Sequence, residues 1–192
     1  MDHEKKELLK AWLAISLAFG IFIFRGGNPL AYSVVVAAFT VGAGFLLHEL
    51  AHRFVARHFG KHAEFRANNQ MLVLAIVLAA FSPIIFAAPG AVWISGYVTR
   101  RENGIISAAG PFANVVIAAA FLPLMLVIPG IAYYGFMINA LLAVFNMFPI
   151  PGFDGTKVLA WSKPAYFSLL GTAILLNILN LALPWASSAG GL

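Results

Sequence analysis

Long apolar segments separated by short polar ones run through the whole chain, and this pattern constrains the fold more than any other feature. Of the 192 residues, 61% are hydrophobic and only 10% are charged, whereas a soluble globular domain carries about 25% charged residues. A water-soluble fold of this length cannot hide so much apolar surface. The sequence therefore predicts an all-α polytopic membrane protein whose outer surface lies against the lipid bilayer.

Glycine, proline and charged residues divide the chain into predicted elements. A helix that crosses a bilayer needs about 17–25 mainly apolar residues, and about five segments approach or exceed this length: residues 11–24, 30–59, 105–128, 131–148 and 165–183. Residues 71–98 are also apolar, but Pro83 and Pro89 interrupt them. We therefore expect a re-entrant segment or a short hairpin at 71–98, and a polar loop at 152–164. The chain 1–192 is predicted to form a single membrane-embedded domain.

The distribution of charge predicts an orientation and excludes one class of partner. The chain has 12 lysines and arginines, a net charge of +5 and no cysteine. With a cytoplasmic N-terminus, all basic residues except Arg25 lie on the cytoplasmic side, as the positive-inside rule requires. This orientation needs residues 71–98 to cross the membrane an even number of times. Because no basic stripe with interleaved aromatic residues occurs, we expect no nucleic-acid partner. The lack of cysteine removes disulfides and thiolate metal ligands.

A short motif in the second apolar segment carries the chemistry. Residues 48–52 read His-Glu-Leu-Ala-His, which matches the H-E-x-x-H pattern. Residues four apart lie on one face of a helix, so the imidazoles of His48 and His52 can reach one zinc ion. Glu49 lies beside them, where it can accept a proton from a water molecule whose pKa zinc lowers to about 7.

The membrane setting makes a chance match of this motif improbable. Residues 31–47 contain no charged side chain, and an ionisable group inside a bilayer costs about 2.5–3.5 kcal/mol. Three such groups on one apolar helix need a compensating partner, which a metal ion would provide. Residues 31–47 span roughly 25 Å at about 1.5 Å per residue, so the motif is predicted to lie a short way inside the cytoplasmic face.

A catalytic zinc site has three protein ligands and one open position, and Asp154 is the favoured third ligand. It follows an apolar span and comes directly after Pro149 and Pro151, which end that helix and can turn a carboxylate inward. The alternative is an ordinary Asp-Gly turn. His58 and His62 lie beyond the basic end of the second segment and are interpreted as interfacial histidines.

Two asparagines inside apolar segments need hydrogen-bond partners. Asn146 is predicted to bind an extended substrate or a developing oxyanion, and an interhelical hydrogen bond is the alternative of equal weight. Asn114 follows Gly110-Pro111 near the start of the predicted span 105–128. We interpret Asn114 as a structural residue that ties helices together.

These motifs together resemble the site-2 protease family of intramembrane zinc metalloproteases. The family combines HExxH in one span with N-x-x-P-x-P-x-x-D-G in a later one, and residues 146–155 read Asn-Met-Phe-Pro-Ile-Pro-Gly-Phe-Asp-Gly. Residues 110–114 are similar to the G-P-x-x-N opening of the intervening span. The resemblance covers residues 30–160, the expected catalytic core, and the motifs occur in the family's order.

The resemblance implies that His48, His52 and Asp154 bind one zinc ion per chain. It implies that Glu49 is the general base and acid, and that Asn146 helps to hold the substrate. The expected activity is endopeptidase cleavage of transmembrane segments of substrate proteins near the cytoplasmic face, by a form of the enzyme without a PDZ or CBS domain. The alternatives are an intramembrane metal transporter or sensor, and an inactive scaffold of the same fold.

Overall fold

The computed structural model of the chain describes residues 2–82 and 89–182. In this part of the chain, five helices are long and apolar enough to cross a membrane: His3–Arg25, Leu30–His58, Arg100–Leu124, Pro129–Asn146 and Lys163–Ala182. These helices confirm the predicted all-α class and the five predicted spans.

The second span is one continuous helix made of three consecutive segments. Helix α2 (Leu30–Ala37) leads through a π-helical turn at Ala38–Gly42 into α3 (Ala43–His58), which carries the HExxH motif. The wider π turn changes the backbone pairing, and π turns often occur at functional sites. Here the indole Nε1 of Trp12 donates to the carbonyl of Ala38 over 3.1 Å. Helix α1 (Asp2–Arg25) thus packs directly against the π turn.

A two-stranded sheet lies beside the C-terminal half of α3. Strand β1 (His62–Ala67) pairs antiparallel with β2 (Gly90–Ser95), and α4 (Asn69–Phe81) lies between them in sequence. Neither strand is evident from the apolar pattern, because each is only six residues long.

The chain between the two strands leaves the sheet and returns to it. The backbone N–H of Asn68 donates to the carbonyl of Pro89 over 2.9 Å, so the start and the end of the excursion lie side by side. Helix α4 packs along α1, and Arg25 at the far end of α1 donates to the carbonyl of Ala79. Residues 71–98 thus contain most of the short apolar helix α4 and the strand β2, with residues 83–88 outside the described part of the chain, and the predicted re-entrant or hairpin course through the membrane stays a prediction.

The outer edge of β1 is covered by carboxylates of α1. The backbone N–H of Phe65 donates to Glu4 and that of Ala67 donates to Glu7, both over 3.1 Å. The second carboxylate oxygen of Glu4 lies 3.0 Å from Nη2 of Arg53 on α3. Since these carboxylates occupy the donors of one edge of the sheet, any further strand would have to add at β2.

The second half of the chain contains α5 (Arg100–Leu124), α6 (Pro129–Asn146), α7 (Asp154–Trp161) and α8 (Lys163–Ala182). Helix α5 begins before the predicted residue 105, because Thr99 and Glu102 form a reciprocal capping box that satisfies backbone donors of the first turn. The prediction of a loop at 152–164 was wrong, since α7 occupies most of it. Helix α5 packs against α3, α6 and α7 and so brings the two motif regions together.

Candidate metal centre

Two histidines on α3 face each other across one helical turn. The Nε2 atoms of His48 and His52 lie 3.0 Å apart, and the residues are only 5% and 7% exposed. In each imidazole the other nitrogen, Nδ1, lies within hydrogen-bond distance of an oxygen atom. Nδ1 of His48 lies 2.5 Å from Oδ1 of Asn114, and Nδ1 of His52 lies 2.7 Å from the carbonyl of Ile106. Both acceptors belong to α5.

These contacts determine which imidazole nitrogens carry hydrogen. A carbonyl or amide oxygen can only accept a hydrogen bond, so Nδ1 donates in both histidines. Each Nε2 of a neutral ring then presents a lone pair toward the other. Two lone pairs at this separation repel each other, whereas a cation between them would bind both. The same arrangement, a ligand histidine whose other N–H is held by an outer acceptor, is typical of protein metal sites.

Asp154 completes the group from a different part of the chain. It is the first residue of α7, and its Oδ2 lies 3.4 Å from Nε2 of His48 and 3.1 Å from Nε2 of His52. The turn before it contains Gly152, whose φ of 99° suits glycine. Gly155 lies so close to the backbone of Met147 that a Cβ would overlap it. The carboxylate is therefore positioned by a tight connection between α6 and α7.

The three ligand atoms match the size of a zinc site. Zinc bonds of about 2.0–2.1 Å in a tetrahedron place neighbouring ligand atoms about 3.3–3.4 Å apart. The three distances here, 3.0, 3.1 and 3.4 Å, form a triangle of nearly that size. In the described residues, His48, His52 and Asp154 form a group whose ligand atoms can hold one metal ion. The structure thus brings together the three residues predicted as ligands.

The charge state of the aspartate also suits a metal ligand. Burial by itself would raise the pKa of Asp154, but the positive charge of protonated imidazoles at His52 and His48 brings that pKa well below its usual range, and a cation bound in place of those protons would act in the same direction. The side chain is therefore a carboxylate at neutral pH. Two neutral imidazoles and one carboxylate form a donor set that zinc binds in many catalytic sites.

A cavity of about 340 Å³ opens onto the three ligands. Glu49 lies in its wall and is 8% exposed. The wall also includes residues from β2, from the end of α6 and from the first turn of α7 with the residue before it: Gly90, Val92, Ile94, Asn146, Phe153 and Lys157. The cavity therefore provides space beside the metal ligands. Glu49 adds a carboxylate to its wall that is not part of the ligand group.

Asn146 occupies the last position of α6 and lines this cavity. One hydrogen of its Nδ2 is donated to the carbonyl of Leu142 over 2.9 Å, within its own helix, which leaves the second Nδ2 hydrogen and Oδ1 for the cavity. The substrate-binding role of Asn146 stays a prediction. His58 at the end of α3 and His62 at the start of β1 are exposed and are not members of the ligand group.

Two residues of the Gly-Pro-x-x-Asn segment contact the metal centre directly. Asn114 binds His48, so its role is not limited to tying helices together, as the sequence suggested. Gly110 faces both ligand histidines: a Cβ added there would meet Nε2 of His52 and of His48. The motif itself was the only sequence signal for these contacts, because nothing in the local pattern tells which side of α5 faces α3.

The chain is 44% identical to "Putative zinc metalloprotease MJ0611" of Methanocaldococcus jannaschii over 170 residues, which cover 85% of this chain and 88% of that protein. The chain belongs to the site-2 protease-like family of zinc metalloproteases. It is also 33% identical to "Putative zinc metalloprotease Rip2" of Mycolicibacterium smegmatis over 172 residues, which cover 74% of this chain and 65% of that protein.

A more distant relative of the site-2 protease-like family is "Putative zinc metalloprotease YwhC" of Bacillus subtilis, 25% identical over 163 residues and 72% of each chain. No family model matches the chain, and no solved structure matches it. The names of the relatives and the ligand group thus agree on a zinc-dependent protease family, and the five apolar helices indicate a membrane protein.

Proposed function

We propose that this chain is a zinc endopeptidase that cleaves transmembrane segments of other proteins. The observation that carries the proposal is the position of the ligand triangle: His48 and His52 lie on a helix long and apolar enough to cross a membrane, and Glu49 lines a cavity beside them. A protease active on soluble substrates has no need to place its ligands on such a helix, where ionisable groups are costly.

Zinc held by the three ligands would supply an acidified water molecule and polarise the scissile carbonyl. The work of the protein is then to move protons and to hold the peptide. Glu49 accepts a proton from the attacking water and later donates it to the leaving amine. The amide of Asn146 lies in the same cavity wall, where it can bind the substrate backbone or the oxyanion.

The open edge of β2 gives the substrate backbone a place to bind. On β1, the N–H groups of Phe65 and Ala67 point away from β2. In the register, Phe65 lies opposite Val92 and Ala67 lies opposite Gly90. Both are therefore non-hydrogen-bonded pairs, in which the backbone N–H and C=O of each residue point away from the partner strand. Val92 and Gly90 both line the cavity. An extended substrate segment can add to this edge as a third strand, which holds its backbone unwound beside Glu49.

Replacing Val92 by Pro is expected to slow cleavage without loss of zinc. Proline removes one of the N–H groups that point to the open edge and leaves the hydrogen bonds to β1 intact. A backbone hydrogen bond contributes about 0.5–1.5 kcal/mol, so the rate at low substrate concentration should fall about 2- to 10-fold. Initial rates of peptide cleavage in lipid nanodiscs measure this.

The matched variant Val92→Ile keeps the N–H and changes only the side chain, so its rate should stay near that of the wild type. Equal rates for the proline and isoleucine variants would count against substrate binding at this edge. A proline variant that loses zinc would show that the change had disturbed the metal centre instead.

We further propose that the metal centre lies near the cytoplasmic face. The N-terminal residues of α1 contact α3 next to His52, through Glu4 and Arg53, so the site lies at the end of the helices that carries the N-terminus. The excess of basic residues at this end supports a cytoplasmic location. Accessibility of single introduced cysteines to a charged thiol reagent tests it, because the natural chain has none. Labelling of Lys6→Cys from the outside only would overturn this orientation.

The proposed activity can be tested with defined peptides. Purified protein in nanodiscs is incubated with zinc and two synthetic transmembrane helices, one of leucine and alanine alone and one with a Gly-Pro pair in its cytoplasmic half. We expect cleavage of the second, since its backbone unwinds more readily, and mass spectrometry locates the cut. Absence of any zinc-dependent product from both peptides and from a total membrane-protein extract would contradict the proposal.

A metal transporter is the second candidate function, because histidine and aspartate inside membranes also form ion paths. A transporter needs ligands along a path across the membrane, whereas the three ligands here cluster at one level. Zinc flux into proteoliposomes separates the two functions. Flux that requires His48 and His52 while no peptide is cleaved would favour transport.

A further inference from the structure

We propose that Asn139 is a positioning residue of the metal centre, which acts on His48 through Asn114. The three side chains form a continuous line of hydrogen bonds from α6 through α5 to α3. Nδ2 of Asn114 donates to Oδ1 of Asn139 over 3.0 Å, and Oδ1 of Asn114 lies 2.5 Å from Nδ1 of His48. The inference rests on the proposed metal site but not on the reaction that the site carries out.

The direction of each amide is determined by backbone carbonyls. Nδ2 of Asn139 donates to the carbonyl of Gly135 over 2.9 Å and approaches that of Thr40 in the π turn at 3.5 Å. Its Oδ1 must therefore face Asn114. Nδ2 of Asn114 has a second acceptor, the carbonyl of Gly44, at 3.3 Å. Both amides thus have their donors used, and the oxygen of Asn114 is left for His48.

This arrangement controls the tautomer of the ligand. If the amide of Asn114 were turned over, its Nδ2 would point at Nδ1 of His48, and the histidine could accept there only by moving its hydrogen to Nε2. A protonated Nε2 has no lone pair for a metal. Asn139 prevents the reversal, because a reversed Asn114 would place its oxygen against Oδ1 of Asn139. The acceptor on α6 therefore keeps Nε2 of His48 available.

The surroundings leave the two amides no alternative partners. Asn114 and Asn139 are both 0% exposed, and buried polar groups that lose a partner are strongly disfavoured. The space is also filled, because a Cβ added to Gly44 would overlap Oδ1 of Asn139. With a side chain at 139 that has no acceptor, only the carbonyl of Gly44, at 3.3 Å, would favour the present orientation of Asn114.

The test compares Asn139→Leu with a matched variant, Asn177→Leu. Asn177 on α8 also donates to a carbonyl of α6, that of Ala140, over 2.9 Å, but it has no connection to His48. Zinc affinity of the full chain in detergent is measured by competition with a chelator, and the visible absorption of the cobalt-substituted protein reports ligand geometry. Outer hydrogen-bond partners typically contribute 10- to 100-fold to metal affinity.

We expect Asn139→Leu to weaken zinc binding about 10- to 100-fold and to change the cobalt spectrum, while Asn177→Leu matches the wild type in both. If the leucine variant does not fold, as judged by thermal melting of the metal-free protein, Asn139→Ala gives the same test without added bulk. Folded Asn139 variants with wild-type zinc affinity and an unchanged cobalt spectrum would overturn this inference alone. A wild-type chain that binds no zinc would overturn both it and the proposed function.

Discussion

Replacing Glu49 by Gln is expected to abolish peptide cleavage while zinc remains bound. Glutamine has nearly the same shape but cannot accept and return a proton at neutral pH. Removal of a general acid–base group lowers rates by about 10²- to 10⁴-fold. The ligand triangle of His48, His52 and Asp154 does not include Glu49, so the zinc content should stay at one ion per chain. Cleavage of the Gly-Pro peptide and zinc analysis of the same sample measure the two quantities.

A matched control is Glu64→Gln, which makes the same chemical change on β1. Glu64 forms an ion pair with Arg66 on the outer side of the sheet and does not line the cavity. Its variant should cleave the peptide at close to the wild-type rate. A Glu49→Gln protein that is as active as Glu64→Gln would show that Glu49 is not the proton-transfer group. Loss of zinc together with activity would assign it a structural role.

Replacing Gly110 by Ala is expected to remove both zinc and activity, although glycine has no side chain and no chemical function. The added Cβ would occupy the position next to Nε2 of His52 and His48, the two imidazole atoms proposed to bind the metal. Either α5 must move away from α3 or the imidazoles must turn, and both changes break the ligand triangle. We expect a loss of zinc affinity of about 100-fold, which is the upper end of the effect of losing an outer hydrogen-bond partner of a metal ligand.

Gly171→Ala provides the control for this experiment. Gly171 lies in α8, and a Cβ there meets nothing within 4 Å. Alanine is also a better helix former than glycine, so this variant should melt at or slightly above the wild-type temperature and bind zinc normally. If Gly110→Ala binds zinc as tightly as Gly171→Ala, the close approach of α5 to the ligands is not a requirement of the site.

The two predictions depend on different kinds of information. Glu49 belongs to a local motif, and its neighbours in the sequence already suggest its role. Gly110 lies far from that motif along the chain, and its importance follows only from the packing of α5 on α3. A change of one carbon atom is decisive there because the interior of the protein is closely packed and cannot absorb the added volume.

The sequence was a good guide to the helices that cross the membrane, because segment length and hydropathy suffice for them. It was a poor guide to short elements. Strands β1 and β2 are six residues each, and α7 lies in a stretch read as a loop. Such elements depend on contacts with distant residues: Glu4 and Glu7 hold the outer edge of β1. No window of sequence contains both partners of these hydrogen bonds.

For the metal centre, the sequence by itself determined His48, His52 and Glu49, because the spacing of a helix places them together without help from the rest of the chain. Asp154 was a candidate from its position after two prolines, and the ten-residue motif strengthened it. The tertiary structure alone decided the distances among the three ligands, the contacts of Asn114 and Asn139, and the close approach of Gly110. These depend on how α3, α5, α6 and α7 pack, and packing is set by contacts between residues distant in sequence.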